Sequence, residues 1–486
     1  MAEREVDIAI LGAGSAGLSA FRAASRHTDS VALIDPGPLG TTCARVGCMP
    51  SKLLIAAAEA AHAVHEAPLF GVHPGPLRID GREVMARVRS ERDRFVGFVL
   101  DDIAAIEARH RIEGRARFTG PQRLRVDLND GGTLDLHARR VVIATGSHPA
   151  LPAEWRAALG ERLIVNDDVF DWQDLPASIA VVGAGTIGLE LAQALHRLGV
   201  RVRLLGRGTK VGPLSDPELQ ALGATVFEAA LPLQREAAVT SVEREGGGVR
   251  VRWHTPQGEH EESFDLLLAA TGRTPNIEAL APAAAGLTLD EHGVPAFDPH
   301  TLQIGRGPVF IAGDVNVDRP LLHEAADEGL IAGDSAGRSL TAGLDALPPQ
   351  PRRTPLAIVF SDPQIALAGL SHRQLCAAGT RFGTGRVSFA NQGRSRVIAR
   401  NVGALHVYGE LGTRRLLGAE LLGPAAEHLA HLLAWSIQRG ETVDAALAQP
   451  FYHPVIEEGL RTALRELRKA LDARATQPCE GCEPGE

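Results

Sequence analysis

One phrase occurs twice in this chain and limits its fold more than anything else. Gly12-Ala13-Gly14-Ser15-Ala16-Gly17 follows an apolar run at residues 6–11, and Gly183-Ala184-Gly185-Thr186-Ile187-Gly188 follows another at residues 179–182. Each is the turn between a buried parallel strand and a helix. The first glycine makes the turn, the second lets backbone N–H groups approach a pyrophosphate, and the third lets helix pack on strand. After the first phrase a second strand, residues 30–34, ends at Asp35, placed to accept from a ribose hydroxyl. A glycine-rich turn without a ligand is the bland alternative, and strand, helix and acid in register argue against it. A complete βαβ unit appearing twice predicts two nucleotide-binding domains of α/β class. The 486-residue length leaves room for about one more.

Between the two phrases, Cys43 and Cys48 stand five apart, followed by Pro50 and an apolar run predicted to be helical. Proline suits a first helical turn, so Cys48 falls at or just before the helix N-terminus. The dipole there favours a thiolate, and a low-pKa thiol beside a second thiol is what disulfide exchange requires. Two buried structural cysteines, or half a zinc site, are the competing readings. Zinc needs two further ligands at short spacing, and none lies nearby. Five cysteines in a chain of this size do not form a disulfide scaffold, and the N-terminus enters a strand without a signal-peptide pattern. A reducing cytoplasm is therefore expected. No apolar run approaches a membrane span, and a net charge of −9 argues against nucleic acid.

Further along, residues 141–146 (VVIATG), 266–272 (LLLAATG) and 308–314 (PVFIAGD) are buried strands that end in small residues. Residues 348–355 (PPQPRRTP) read as a linker. Beyond it, residues 357–360, 396–399, 404–408 and 416–422 are predicted strands, and 427–439 and 455–473 predicted helices. Cys376 falls at a helix start and reads as a packed free thiol.

Together the two fingerprints, the Cys43/Cys48 pair, the Ala-Thr-Gly and Gly-Asp strand ends and the phrase His453-Pro454 with Glu458 five residues after the histidine resemble the class I pyridine nucleotide–disulfide oxidoreductases, closest to dihydrolipoamide dehydrogenase. The resemblance runs from residue 5 to about 470. It implies an α/β fold of two Rossmann-like domains, for FAD and NAD(P), plus an α+β C-terminal dimerisation domain. The expected boundaries are 1–150 and 273–347 for FAD, 151–272 for NAD(P), 348–473 for dimerisation and 474–486 as a tail. FAD would be held by Gly12, Gly14, Gly17, Asp35, Thr42, Thr145, Gly146, Gly313 and Asp314, with Lys52 beside its reactive ring. Gly183, Gly185, Gly188, Gly272 and Arg273 would serve the nicotinamide nucleotide.

The resemblance also assigns roles. Glu190 would pair with Lys52 next to the flavin. Cys43 would exchange with the dithiol substrate and Cys48 with the flavin. His453, oriented by Glu458, would act as acid–base catalyst on the cysteine pair of the partner subunit in a homodimer; an imidazole titrates near working pH. NAD enzymes place an acid where the second nucleotide strand ends. Here that strand runs into Gly206, with Arg207 and Lys210 following. Arg207 matches the first phosphate-binding arginine of the family's NADPH enzymes, so NADP is favoured over NAD, while the second arginine is not matched. The implied activity is dihydrolipoamide oxidation, with NADPH-dependent reduction of a protein or low-molecular-weight disulfide as the alternative. Mercuric reductases of the family lack the histidine and carry vicinal cysteines near the C-terminus; this chain shows neither feature. Two departures stand out: Thr41 replaces the usual second glycine before Thr42-Cys43, and Arg45 replaces the usual asparagine between the cysteines. The tail carries Cys479 and Cys482, a CxxC pair that reads as incidental thiols on a disordered tail, as half a metal site, or as an electron shuttle to a bulky partner.

Overall fold

The computed structural model describes residues 2–474. It has two compact units interleaved along the chain. The first comprises Met1–Pro50, Arg87–Ala150 and Gly272–Arg352; the second comprises Ser51–Ala86, Leu151–Thr271 and the chain from Arg353 onward. This grouping differs from the boundaries expected above in assigning residues 51–86 to the second unit.

In the first unit, the strand Ala2–Leu11 lies between Val31–Asp35 and Thr133–Ile143, parallel to both, and Val309–Ile311 lies parallel beyond the latter. Ile8, Ala9, Ile10, Val141, Val142 and Ile143 are fully buried, as expected of parallel strands covered on both faces. The register is the important point. Leu11 pairs with Ile34 and Ile143, and Ile143 with Ile311, so four strands end at one edge. Arg111–Gly120 extends the sheet parallel to Val31–Asp35, and Arg123–Leu128 runs antiparallel both to it and to the start of Thr133–Ile143. The helix Leu322–Ala342 covers Ser15–Ala24 and contributes the fully buried Glu328. That carboxylate accepts from Gly313 N–H (2.7 Å) and Asn316 Nδ2 (2.6 Å) and pairs with Arg352 (2.6 Å). Burial raises its pKa against these partners. Arg352 belongs to the linker by composition, yet its side chain is only 7% exposed.

The second unit holds a parallel sheet of Leu163–Ile164, Leu266–Ala269, Ser178–Val182, Arg201–Leu205 and Leu233–Gln234. It also holds an antiparallel sheet of Leu356–Val359, Gln364–Gly369, Leu416–Gly423, Ala404–Glu410 and Phe382–Ser388. The helices Ala426–Gln438 and Glu457–Arg474 pack on the latter around Leu405, Val407, Leu421, Leu433 and Leu464.

The sequence reading needs one correction here. Residues 396–399 are not a strand. The helix Gly393–Val397 takes the first two of them, capped by the Gln392 side chain accepting from Ser395 N–H, and Ile398 and Ala399 turn out of it, Ala399 at φ 54°. Val397 is exposed, so the short apolar run has no face to bury. Two strands were also unforeseen, Gln364–Gly369 and Phe382–Ser388. Glycine weakens the second as a strand signal, but Gly385 is required there: a Cβ would lie 2.1 Å from the Ala463 carbonyl oxygen of the crossing helix.

One buried carboxylate ties a helix of this unit to its antiparallel sheet. Asp216 caps the helix Pro217–Ala230 through Glu218 N–H (3.0 Å) and Leu219 N–H (3.3 Å). Its other oxygen meets His406 Nδ1 (2.9 Å) and the Tyr408 hydroxyl (3.1 Å) on Ala404–Glu410. Burial alone would raise its pKa, but the His406 hydrogen bond and charge, with the capped N–H groups, take it down to about 2.

Candidate active site

The shared strand edge of the first unit gathers residues 12–17, 144–146 and 312–314. Gly12 has φ 106°, and a Cβ there would meet the Ala144 carbonyl oxygen at 2.4 Å; at Gly17 it would meet the Gly12 oxygen at 1.8 Å. The turn is thus shut against the neighbouring strand end. At Gly14 a Cβ would meet nothing within 4 Å. The helix Ser15–Ala24 begins there without a side-chain cap, which leaves first-turn N–H groups for an anion. Asp35 closes the base of the turn, accepting from Ala13 N–H and Gly37 N–H, each at 2.6 Å. Thr145 and Arg273 knit strand ends together: Thr145 Oγ1 donates to Asn276 O, and Arg273 donates to the hydroxyl and carbonyl of Ser147. The Ser147 hydroxyl in turn donates to Asp314 (3.2 Å). Ser147, which the sequence did not single out, orients the acid of the Gly-Asp phrase. An uncapped helix N-terminus, an open glycine and an oriented acid at one strand edge fit a flavin dinucleotide.

Cys43 lies in the short helix Thr42–Val46, and Cys48 is the first residue of Cys48–Glu66. Both are thiols. Thr41 stands at φ 60°, a conformation that glycine adopts at least cost. Its hydroxyl compensates by accepting from Ala44 N–H (3.2 Å). Cys43 is hydrogen-bonded to Cys48. That bond first, then burial and the neighbouring sulfur's charge, push its pKa well above the thiol range, against backbone N–H groups of Cys48 and Met49. Cys43 is the sulfur that keeps its proton. Arg45 folds over Gly40 and donates to the Pro38 carbonyl (3.4 Å).

Four residues after Cys48, Lys52 Nζ meets Glu190 Oε2 at 2.8 Å. Glu190 is 5% exposed and Lys52 32%. The other carboxylate oxygen accepts from the Phe360 backbone N–H (2.8 Å), and the Lys52 ammonium sits 4.7 Å from the Phe360 ring centroid. The sequence reading placed Phe360 at a strand end and gave it no role; only its aromatic character beside that end hinted at one.

The second fingerprint repeats the first. A Cβ on Gly188 would meet the Gly183 oxygen at 1.8 Å, Gly185 is open, and Thr186–Arg197 begins uncapped. Val182 pairs with Leu205 and Ala269, and Leu205 with Gln234. Residues 206–210 and 235–237 therefore emerge at this edge. Arg207 and Lys210 are exposed. Arg235 donates to the Thr209 carbonyl (3.0 Å) and pairs with Glu228 (2.6 Å).

His453 Nδ1 meets Glu458 Oε2 at 2.9 Å, and the imidazole is 80% exposed. Glu458 also accepts from Arg461 (2.9 Å) and from Val455 N–H. Desolvation pushes this carboxyl up, but the His453 bond and these donors outweigh it and hold it below its ordinary range. His453 belongs to the second unit and the cysteine pair to the first. Cys479 and Cys482 lie outside the described residues. Among the described residues no helix is long and apolar enough to cross a membrane.

The chain is 32% identical to a mercuric reductase of Streptomyces lividans, covering 93% of each chain. It is 29% identical to a dihydrolipoyl dehydrogenase of Thermus scotoductus, covering 95% of this chain and 97% of the other. LpdA from Mycobacterium tuberculosis superposes with a TM-score of 0.80 at 25% identity, covering 96% of this chain and all of the other. The family description "Pyridine nucleotide-disulphide oxidoreductase" matches residues 6–329, and the dimerisation domain of the same family matches 356–464. Its members depend on FAD and draw electrons from NAD(P)H. With fold, paired fingerprints and cysteine pair in place, the chain belongs to the pyridine nucleotide–disulphide oxidoreductases.

Proposed function

We propose that this protein exchanges electrons between NADP(H), or NAD(H), and a dithiol substrate through Cys43 and Cys48, and that the substrate is dihydrolipoamide or a lipoyl protein. The observation that carries this reading is the His453–Glu458 pair, 2.9 Å apart with the imidazole facing solvent. A carboxylate on Nδ1 leaves Nε2 free to take a proton from a thiol. In a homodimer this imidazole would serve the cysteine pair of the partner subunit. The three-domain division and the site assignments given above belong to the same proposal.

In the dehydrogenase direction the oxidised pair is a Cys43–Cys48 disulfide. A substrate thiol, deprotonated by His453, attacks the Cys43 sulfur; the S–S bond breaks and Cys48 leaves as thiolate. The second substrate thiol then attacks the mixed disulfide. As it does so, His453 gives its proton to the departing Cys43 sulfur and takes the proton of the second substrate thiol, and the substrate departs as a disulfide. FAD, when bound, carries the two electrons onward to NAD(P)+. The hydrogen bond with Cys48 and burial, which together hold the proton on Cys43, support this division of labour. Lys52 and Glu190 would hold a fixed cation and its counter-charge beside the flavin. Arg207, unshielded at a strand end without an acid, supports NADP.

The test is oxidation of dihydrolipoamide by the purified FAD-bound enzyme, with NAD+ and NADP+ in parallel. Fast turnover that Cys48→Ser abolishes is expected. A flavin reduced by nucleotide in an enzyme that ignores lipoamide would refute the lipoyl assignment. The mercuric reductase similarity favours a second electron acceptor, so Hg(II) belongs in the same assay. Reduction of Hg(II) in place of lipoamide would move the function there.

A further inference from the structure

We infer that Phe360 is a positioning residue for the Lys52–Glu190 pair, acting through both its ring and its backbone. The inference rests on the reading that this pair stands beside the flavin. Phe360 follows the strand Leu356–Val359 and is half-buried. The segment after it is clamped to the helix Thr186–Arg197, which also carries Glu190. Asp362 N–H donates to Gln193 Oε1 (2.7 Å), Gln193 Nε2 donates to Asp362 O (2.8 Å), and Arg197 pairs with the Asp362 carboxylate (2.8 Å). With Phe360 N–H on Glu190 (2.8 Å), three backbone groups fix this segment to one helix face.

The clamp determines where the ring lies, and the ring lies 4.7 Å from Lys52 Nζ. An ammonium over an aromatic face is held by the ring quadrupole. Lys52 therefore meets a carboxylate and a π face, with a longer bond to the Ser51 hydroxyl (3.4 Å). A lysine stem is flexible, and a salt bridge alone leaves its ammonium free to swing around the carboxylate. The aromatic face removes that freedom. The backbone bond does the same for Glu190, since it occupies the oxygen that Lys52 does not use. Phe360 thus sets the direction of the cation without touching the reacting atoms.

The experiment uses the FAD-bound enzyme with Phe360 replaced by ring-fluorinated phenylalanines of increasing fluorine number. These keep the ring's shape while weakening its negative face. The readouts are the flavin midpoint potential and the rate of flavin reduction by the nicotinamide nucleotide. Glu190→Gln is the reference for the pair itself. With Lys52 partly in solvent, a loss of about two- to tenfold in reduction rate is expected across the series, with a monotonic drift in potential and an unchanged melting temperature. Phe360→Tyr should behave like the native enzyme. If Glu190→Gln moves the flavin potential and the fluorinated series does not, the Phe360 inference is overturned while the reading of the pair stands. If neither moves it, the placement of the pair beside the flavin is itself wrong.

Discussion

Asp216→Asn is the perturbation whose size the structure states most directly. The carboxyl is held at about 2 in the folded protein against an ordinary 3.8. A folded pKa below the unfolded one means stability that is fully present above pH 3.8 and lost as pH falls towards 2. The difference is worth about 2 kcal/mol at neutral pH. Asparagine keeps one oxygen for the Glu218 and Leu219 caps but presents an N–H₂ or a neutral oxygen to His406 and Tyr408. The loss should therefore match the charge contribution, with the cap retained. For folding units of this size that is a drop in Tm of roughly 4–8 °C. Melting of native and variant enzyme followed at pH 7, 4.5 and 3.2 is the assay. The gap should be full at the first two values and narrowed at the third. A gap of the same size at all three would show that Asp216 acts as a hydrogen-bonding shape and not as a charge, which would refute the argument.

Three further outcomes are expected. Arg207→Ala should raise KM for NADPH about tenfold or more and leave KM for NADH within about twofold, since a charge-assisted phosphate contact is what it removes. Equal changes would exclude the 2′-phosphate role. Glu458→Gln should lower kcat/KM for the dithiol at least about tenfold by freeing the His453 ring; raising the pH should not restore it, because the native carboxyl, held below its ordinary range, is already charged throughout the working range. Glu328→Gln should weaken FAD retention on dialysis, as it loosens the Gly313 turn and leaves Arg352 without its nearest counter-charge (2.6 Å). Flavin retained at native levels would show that the turn holds without it.

The parts of the fold that could be read from sequence are those where one residue type answers to one constraint. Gly12, Gly17, Gly183 and Gly188 have no room for a Cβ, and the strands before them are buried on both faces, so both signals are strong in one dimension. Cys48 at a helix start followed from Pro50. The C-terminal sheet was harder. Phe382–Ser388 is a strand because a helix distant in sequence crosses Gly385 closely, and residues 396–399 finish a short helix capped by Gln392 and turn out of it. Neither cause is visible in the local apolar pattern. Among the site residues, Lys52 and Glu190 meet as the resemblance implied. The roles of Ser147 and Phe360 depend on partners far along the chain, Asp314 and Lys52, and no spacing rule reaches that distance.

The pairing of Val309–Ile311 with Thr133–Ile143 has a consequence for how the protein is made. The strand edge that would receive the flavin needs residues 12–17, 144–146 and 312–314 together, and the ribosome delivers the last of these long after the first two. By the end of that interval, residues 151–271 are complete enough to form their own parallel sheet. That segment can therefore fold before residues 309–311 are made, while Ile143 waits as an unpaired sheet edge, a surface prone to wrong pairing.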